Sequence, residues 1–254
     1  MKIKQDIPWY KNKYLEKDWL IKQSPHYIFH YFKNSLVEKD INKIIKIKEK
    51  HYNKILSFLK VKNYRKIKYY LYPSLKEKIE LMGDDSLGNV IWEEFELINN
   101  KVKTKRFEIH ILYNVKRKFI GEHEDTHLLS LPWGLSIYLF SEGLSQFIEE
   151  SLFGKDIDIL SKKLMKKNKL YSLKWLCNNK NWNKVKEEIV YPQAGSFIRY
   201  LINNFGLEKF KKVYKKLSRD KKVKENIKIM ESSYPESINK LETNWKRYLN
   251  YLKY

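Results

Sequence analysis

Only 8 glycines and 6 prolines interrupt this chain of 254 residues. Turns draw heavily on both, so a chain this poor in them spends most of its length in long regular elements, helix above all. Helical spacing is plain over residues 37–59, where Ile41, Ile44, Ile45, Ile55 and Leu59 suit one face. Residues 27–32 and 67–72 are aromatic and β-branched runs that read as strands. Pro73 ends the second run, and Ser74 can cap a short helix toward Met82. Residues 83–89 form the most loop-like segment; an apolar run follows at 90–98, and 107–113 makes a further strand.

Everything after Gly121 reads as helix, at about 121–131, 137–151, 156–167, 192–205, 207–217 and 236–252. Pro192 suits a helix start and Gly206 a C-cap between two helices. The expected class is α+β. One domain spans 1–254, with a lobe of small mixed sheet and helices over 1–120 and a mainly helical lobe over 121–254.

Aromatic richness, with 19 Tyr, 12 Phe and 7 Trp, supplies a packed core and excludes a disordered chain. The single Cys177 excludes an intramolecular disulfide and a cysteine metal cluster. No apolar run approaches the roughly 18 residues of a membrane span. The start, Met1-Lys2-Ile3-Lys4-Gln5-Asp6, is charged with no apolar core behind it, so it is not a secretory signal. With Met1 as the native start, a soluble cytoplasmic protein is expected.

A formal charge of +22 invites a nucleic-acid partner. That partner is not expected, because lysine is spread over nearly every segment and arginine, the better phosphate and guanine ligand, is rare. The densest basic clusters, 162–167 and 211–216, interleave apolar residues at helical spacing, as solvated helix faces do.

Chemistry concentrates in Gly121-Glu122-His123-Glu124-Asp125-Thr126-His127. Residues four apart on a helix lie nearly over one another, so His123 and His127 can present both imidazoles to one ion. A hydrolytic zinc wants about three protein ligands and one open position. Glu124, rotated by about 100° from His123, can reach a water at that position without occupying the metal. Fourteen residues, 128–141, separate His127 from Glu142 and include the turn-forming Pro132-Trp133-Gly134. A second helix can therefore fold back and offer Glu142 as third ligand, with Gly143 leaving room for the two helices to approach. Asp125, Glu122 and Glu149 are rival oxygen donors, and Glu142 can also be an ordinary first-turn glutamate.

His-Glu-x-x-His, a short Pro-Trp loop, and then Ser141-Glu142-Gly143-Leu144 with a following aromatic resemble the gluzincin clan of metallopeptidases, most of all the peptidase MA-like domains. The resemblance extends to 191–201 and 205–210, and to the closing segment around Trp245. It implies zinc on His123, His127 and Glu142, Glu124 as general base, a zincin-like fold, and a peptide or protein substrate against an edge strand. The fourteen-residue gap is shorter than in thermolysin-like and aminopeptidase-like gluzincins, and no aminopeptidase signature accompanies it.

A zinc hydrolase commonly adds a donor to the developing oxyanion. Tyr191, read as a loop-to-helix junction, is the first candidate for that catalytic role and Arg199 the second; structural roles stay open for both. His110 reads as a structural histidine or a neighbour of the metal, and His26, His30 and His51 fall in no recruiting pattern. The expectation is a zinc-dependent peptidase. A zinc-binding module without hydrolysis, or a basic nucleic-acid-binding protein, stands as the alternative.

Overall fold

The computed structural model describes residues 2–3, 11–62, 65–93, 95–98, 101–118 and 120–253. By compactness the chain divides into Met1–Pro132 and Trp133–Tyr254. Of the Met1-to-Asp6 start, only Lys2–Ile3 lies among the described residues. Among those residues no helix is long and apolar enough to cross a membrane.

The first unit runs β1 (Lys2–Ile3), β2 (Leu20–Gln23), β3 (Tyr27–Tyr31), α1 (Leu36–Leu59), β4 (Ile67–Tyr72), α2 (Leu75–Met82), β5 (Gly88–Ile91), β6 (Phe95–Ile98), β7 (Lys101–Lys103), β8 (Glu108–Leu112) and α3 (His123–Leu129). Five strands form a mixed sheet in the order β2-β3-β4-β8-β5, and β1-β6-β7 form a smaller one. β3, β4 and β8 run parallel, while β2 and β5 close the edges antiparallel. A parallel pair needs a long crossover, and α1 supplies it between β3 and β4. Ser35 caps α1 by accepting the Glu38 amide, and Ser74 caps α2 in the same way through Glu77. The buried face of α1 is Val37, Ile41, Ile44, Lys48, Tyr52, Ile55 and Leu59, six apolar positions and one lysine.

Alternation along the strands sends neighbouring residues to opposite faces. In register across β3, β4 and β8 stand His30, Tyr70 and His110, with ring centroids 4.3 and 4.7 Å apart in stacked geometry. Tyr72 and His110 Nδ1 share a hydrogen bond of 2.9 Å, and Tyr14 meets the His110 ring edge-on while donating to Glu108 at 2.7 Å. His110 is therefore a fully buried member of the sheet core, which selects the structural reading of that residue.

The second unit contains α4 (Tyr138–Glu149), β9 (Ser151–Leu152), β10 (Lys155–Asp156), α5 (Ile157–Lys166), α6 (Leu173–Leu176), α7 (Glu187–Phe205), α8 (Leu207–Lys216), α9 (Val223–Ser233) and α10 (Ile238–Tyr251). α4 packs on α7 through small residues. A Cβ on Gly143 would lie 2.5 Å from Ile198 Cγ1 and 2.9 Å from the Ala194 carbonyl oxygen, and one on Gly195 2.9 Å from Gln146 Cγ. The room that Gly143 leaves thus serves α7, where the sequence suggested the motif helix.

The class is α+β as expected, with a small mixed sheet and a mostly helical C-terminal part, but several details differ. The compact division falls after Pro132, not near 120, so α3 belongs with the sheet-bearing unit. A hairpin of β9 and β10 interrupts the run of helices; its two-residue turn, Phe153 and Gly154, has positive φ at both positions, as such hairpins require. The helices α6 and α9 lie outside the helices expected from the sequence. The apolar run 90–98 resolves into parts of β5 and β6, with residue 94 outside the described residues.

The largest shift concerns α7. It begins at Glu187, with the Val190 amide bonded to the Lys186 carbonyl, so Pro192 lies inside the helix. Proline there removes one hydrogen bond, to the Glu188 carbonyl, and the acidic first turn favours the early start. Gly206, at φ 84°, does separate α7 from α8.

Two outcomes are expected. Gly143→Ala should destabilise the protein by about 1–3 kcal/mol, because a backbone carbonyl cannot yield as a side chain can; thermal unfolding should report it as about 2–4 °C per kcal/mol. Burial pushes the His30 imidazole down from 6.5 to about 4. Between those values the unfolded chain binds a proton that the folded chain refuses, so stability falls as pH drops through that window. Urea midpoints measured from pH 7 to 4 should flatten in His30→Gln.

Candidate metal centre

α3 is seven residues long, too short to stand as a helix in water. Its N-cap, Glu122, makes no side-chain capping bond; instead the Thr126 amide and hydroxyl both donate to the Glu122 carbonyl, at 2.9 and 2.8 Å. The remaining support is tertiary. Lys48, from the buried face of α1, donates to the Gly121 carbonyl at 2.9 Å and to the Asp125 carboxylate. Tyr27 of β3 donates to the other Asp125 oxygen at 2.5 Å. Lys48, Asp125 and Tyr27 are all fully buried. The ammonium also stands 5.0 Å from the Tyr69 ring centroid, over its face. Burial, and then the Asp125 charge, raise the Tyr27 hydroxyl well above its ordinary range, which keeps it a donor.

With α3 so fixed, its i, i+4 spacing sets His123 and His127 side by side, their rings edge-on at 4.9 Å. One ligand atom from each of His123, His127 and Glu142 lies within 4.8 Å of the others. Two imidazole nitrogens and one carboxylate oxygen, all partly accessible, make a donor set that could hold a metal ion. Glu142 is the fifth residue of α4, beyond the first turn, so a dipole-stabilised glutamate does not describe it.

The rival donors have other work. Asp125 is committed to Lys48 and Tyr27. Glu122 pairs with His51 at 3.5 Å and Lys54 at 3.4 Å. Glu149 stands on α4 outside the group. Glu124 turns its carboxylate toward the edge strand β5, where Oε1 would be 2.9 Å from a Cβ on Gly88.

The first oxyanion candidate does not keep the position that recommended it. Tyr191 is the fifth residue of α7, not a loop-to-helix junction. Arg199 donates to Asp158 at 2.8 Å and Asp156 at 3.0 Å, and Tyr248 donates to the same Asp158 at 2.6 Å, so the guanidinium holds helices together. His30 lies in the sheet core, and His26 pairs with Glu49 at 2.5 Å.

Sequence reasoning missed Lys48 and Tyr27. The signal for Lys48 was present: it falls four residues from each of Ile44 and Tyr52 on the apolar stripe of α1, where a lysine must find a buried acid. Nothing in the 27–32 run marked Tyr27 as its companion. No protein-family model and no curated protein matches this chain.

Lys48→Met should cost about 3–5 kcal/mol in urea unfolding, since it leaves the Asp125 carboxylate buried without its counter-ion. Lys48→Met/Asp125→Asn should cost clearly less than the two single variants summed. Additive losses would show that the pair is not coupled.

Proposed function

We propose that the chain is a zinc-dependent hydrolase of peptide bonds with a zincin-like site. The observation that carries the reading is the approach of His123, His127 and Glu142, ligand atoms within 4.8 Å, with Glu124 beside His123 in the chain and outside that group. The resemblance of the 121–150 core to peptidase MA-like gluzincins supports the same assignment. His123, His127 and Glu142 would hold the ion. Zinc bound there would supply Lewis acidity toward the carbonyl and lower the pKa of water to about 7.

The protein's own part lies with Glu124. As a carboxylate it takes the proton of the attacking water and delivers it to the leaving amine. Neighbouring β5 stands at the end of its sheet's strand order among the described residues. A peptide or protein substrate against an edge strand is what the family resemblance implies.

The test is elemental analysis followed by proteolysis. Protein purified without added metal should carry about one zinc per chain. His123→Ala and Glu142→Ala should each lower that occupancy. Glu124→Gln should retain zinc and lose cleavage of an unstructured polypeptide by at least ~100-fold. Full cleavage by Glu124→Gln would overturn the mechanism, and zinc-loaded protein that cleaves nothing would leave a binding module.

A further inference from the structure

Gly88 opens β5, and its φ lies outside the left-handed region. The backbone there would accept alanine; the space would not. A Cβ would stand 2.7 Å from Ile111 Cδ1, 2.9 Å from Glu124 Oε1 and 3.4 Å from Glu124 Cδ. We propose that Gly88 is a positioning residue for Glu124, its missing side chain setting where the general base's carboxylate stands. The inference rests on the hydrolase reading above for the word base, and on packing alone for the placement.

The strand is held so that it cannot retreat. Gly88 pairs with Ile111 in the β5–β8 register, and the Leu112 amide donates to the Leu87 carbonyl at 2.9 Å. From α2, the fully buried Lys78 donates to Asp84 at 2.5 Å and to the Ser86 carbonyl at 2.7 Å. The Ser86 hydroxyl donates to Asp84 at 2.6 Å and stands 3.1 Å from the Gly88 carbonyl oxygen. Burial pulls the Lys78 ammonium below its ordinary value, opposed by Asp84 and, at longer range, by Glu124. One buried cation thus fixes the loop that delivers Gly88, within reach of the Glu124 charge.

A methyl group at position 88 therefore displaces what can move. That is Ile111 Cδ1 and the Glu124 carboxylate, both far ends of flexible side chains. A shift of about 1 Å in a reacting group costs on the order of 100-fold in rate while leaving folding almost untouched.

The experiment compares the full-length wild type with Gly88→Ala, Gly88→Ala/Ile111→Val and Gly88→Ala/Glu124→Asp, all zinc-loaded. Gly88→Ala should keep its zinc and melt within ~2 °C of wild type. Its KM for an unstructured polypeptide should hold while kcat falls about 10- to 100-fold. Ile111→Val, which frees space only on the isoleucine side, should not restore kcat. The Gly88→Ala penalty should shrink in the Glu124→Asp background, where the shorter acid leaves room. Crystal structures should show the Glu124 carboxylate moved by about 1 Å with His123, His127 and Glu142 in place. An unmoved carboxylate with wild-type kcat overturns the proposal, as does full rescue by Ile111→Val. A wild type that cleaves nothing overturns the functional reading instead, and the crystallographic comparison still decides whether Gly88 places Glu124.

Discussion

The buried contact between Lys48 and Asp125 carries α3, and the candidate site depends on α3. Two charges taken out of water are costly unless each finds partners for its remaining hydrogen-bonding capacity. Here they do: Lys48 also reaches the Gly121 carbonyl, and Asp125 also accepts from Tyr27. The bonds tie the beginning of a seven-residue helix to α1 and β3, elements long enough or paired enough to be stable without it. Asp125 lies between Glu124 and Thr126 in the motif, so the same turn that anchors inward presents His123 and His127 on its other side.

Lys48 and Lys78 share one logic. Each is fully buried, and each is answered by a carboxylate and a backbone carbonyl. One fixes the helix that bears the histidines, the other the loop that leads into the edge strand. Most of the remaining lysines belong to a different population. On α8 the side chains of Phe210, Val213 and Tyr214 are buried while Lys209, Lys212, Lys215 and Lys216 are exposed, the solvated face that their spacing suggests. A net charge of +22 therefore says less about the site than the two lysines whose charge is hidden.

Gly143 and Gly88 both act through the side chain they lack. At Gly143 the beneficiary is backbone, since α7 brings the Ala194 carbonyl against α4, and the consequence of filling the space is stability. At Gly88 the beneficiary is the tip of Glu124, and the consequence is geometry. The same missing methyl group has different effects because a carboxylate swings aside and a helix carbonyl does not.

Sequence by itself determined the elements whose signal is local. The stripe of α1, the strand pattern of β4, the serine cap of α2, and the four-residue spacing of His123 and His127 each depend on neighbours within a turn or two of chain. The same spacing argument marked Glu142, because a short Pro-Trp-Gly turn limits where the next helix can go. Only tertiary structure decided the rest. Asp125 was a rival ligand until Lys48, 77 residues earlier, claimed it, and Tyr27, 98 residues away, completed the claim. Tyr191 lost its junction because the acidic turn at Glu187 starts α7 early enough to carry Pro192 inside it. Gly88 read as part of a loop, and its contact with Glu124 comes from an antiparallel pairing that local pattern does not encode. Helical periodicity is written in adjacent residues, whereas the partner of a buried charge and the space around a carboxylate are fixed only when distant segments pack.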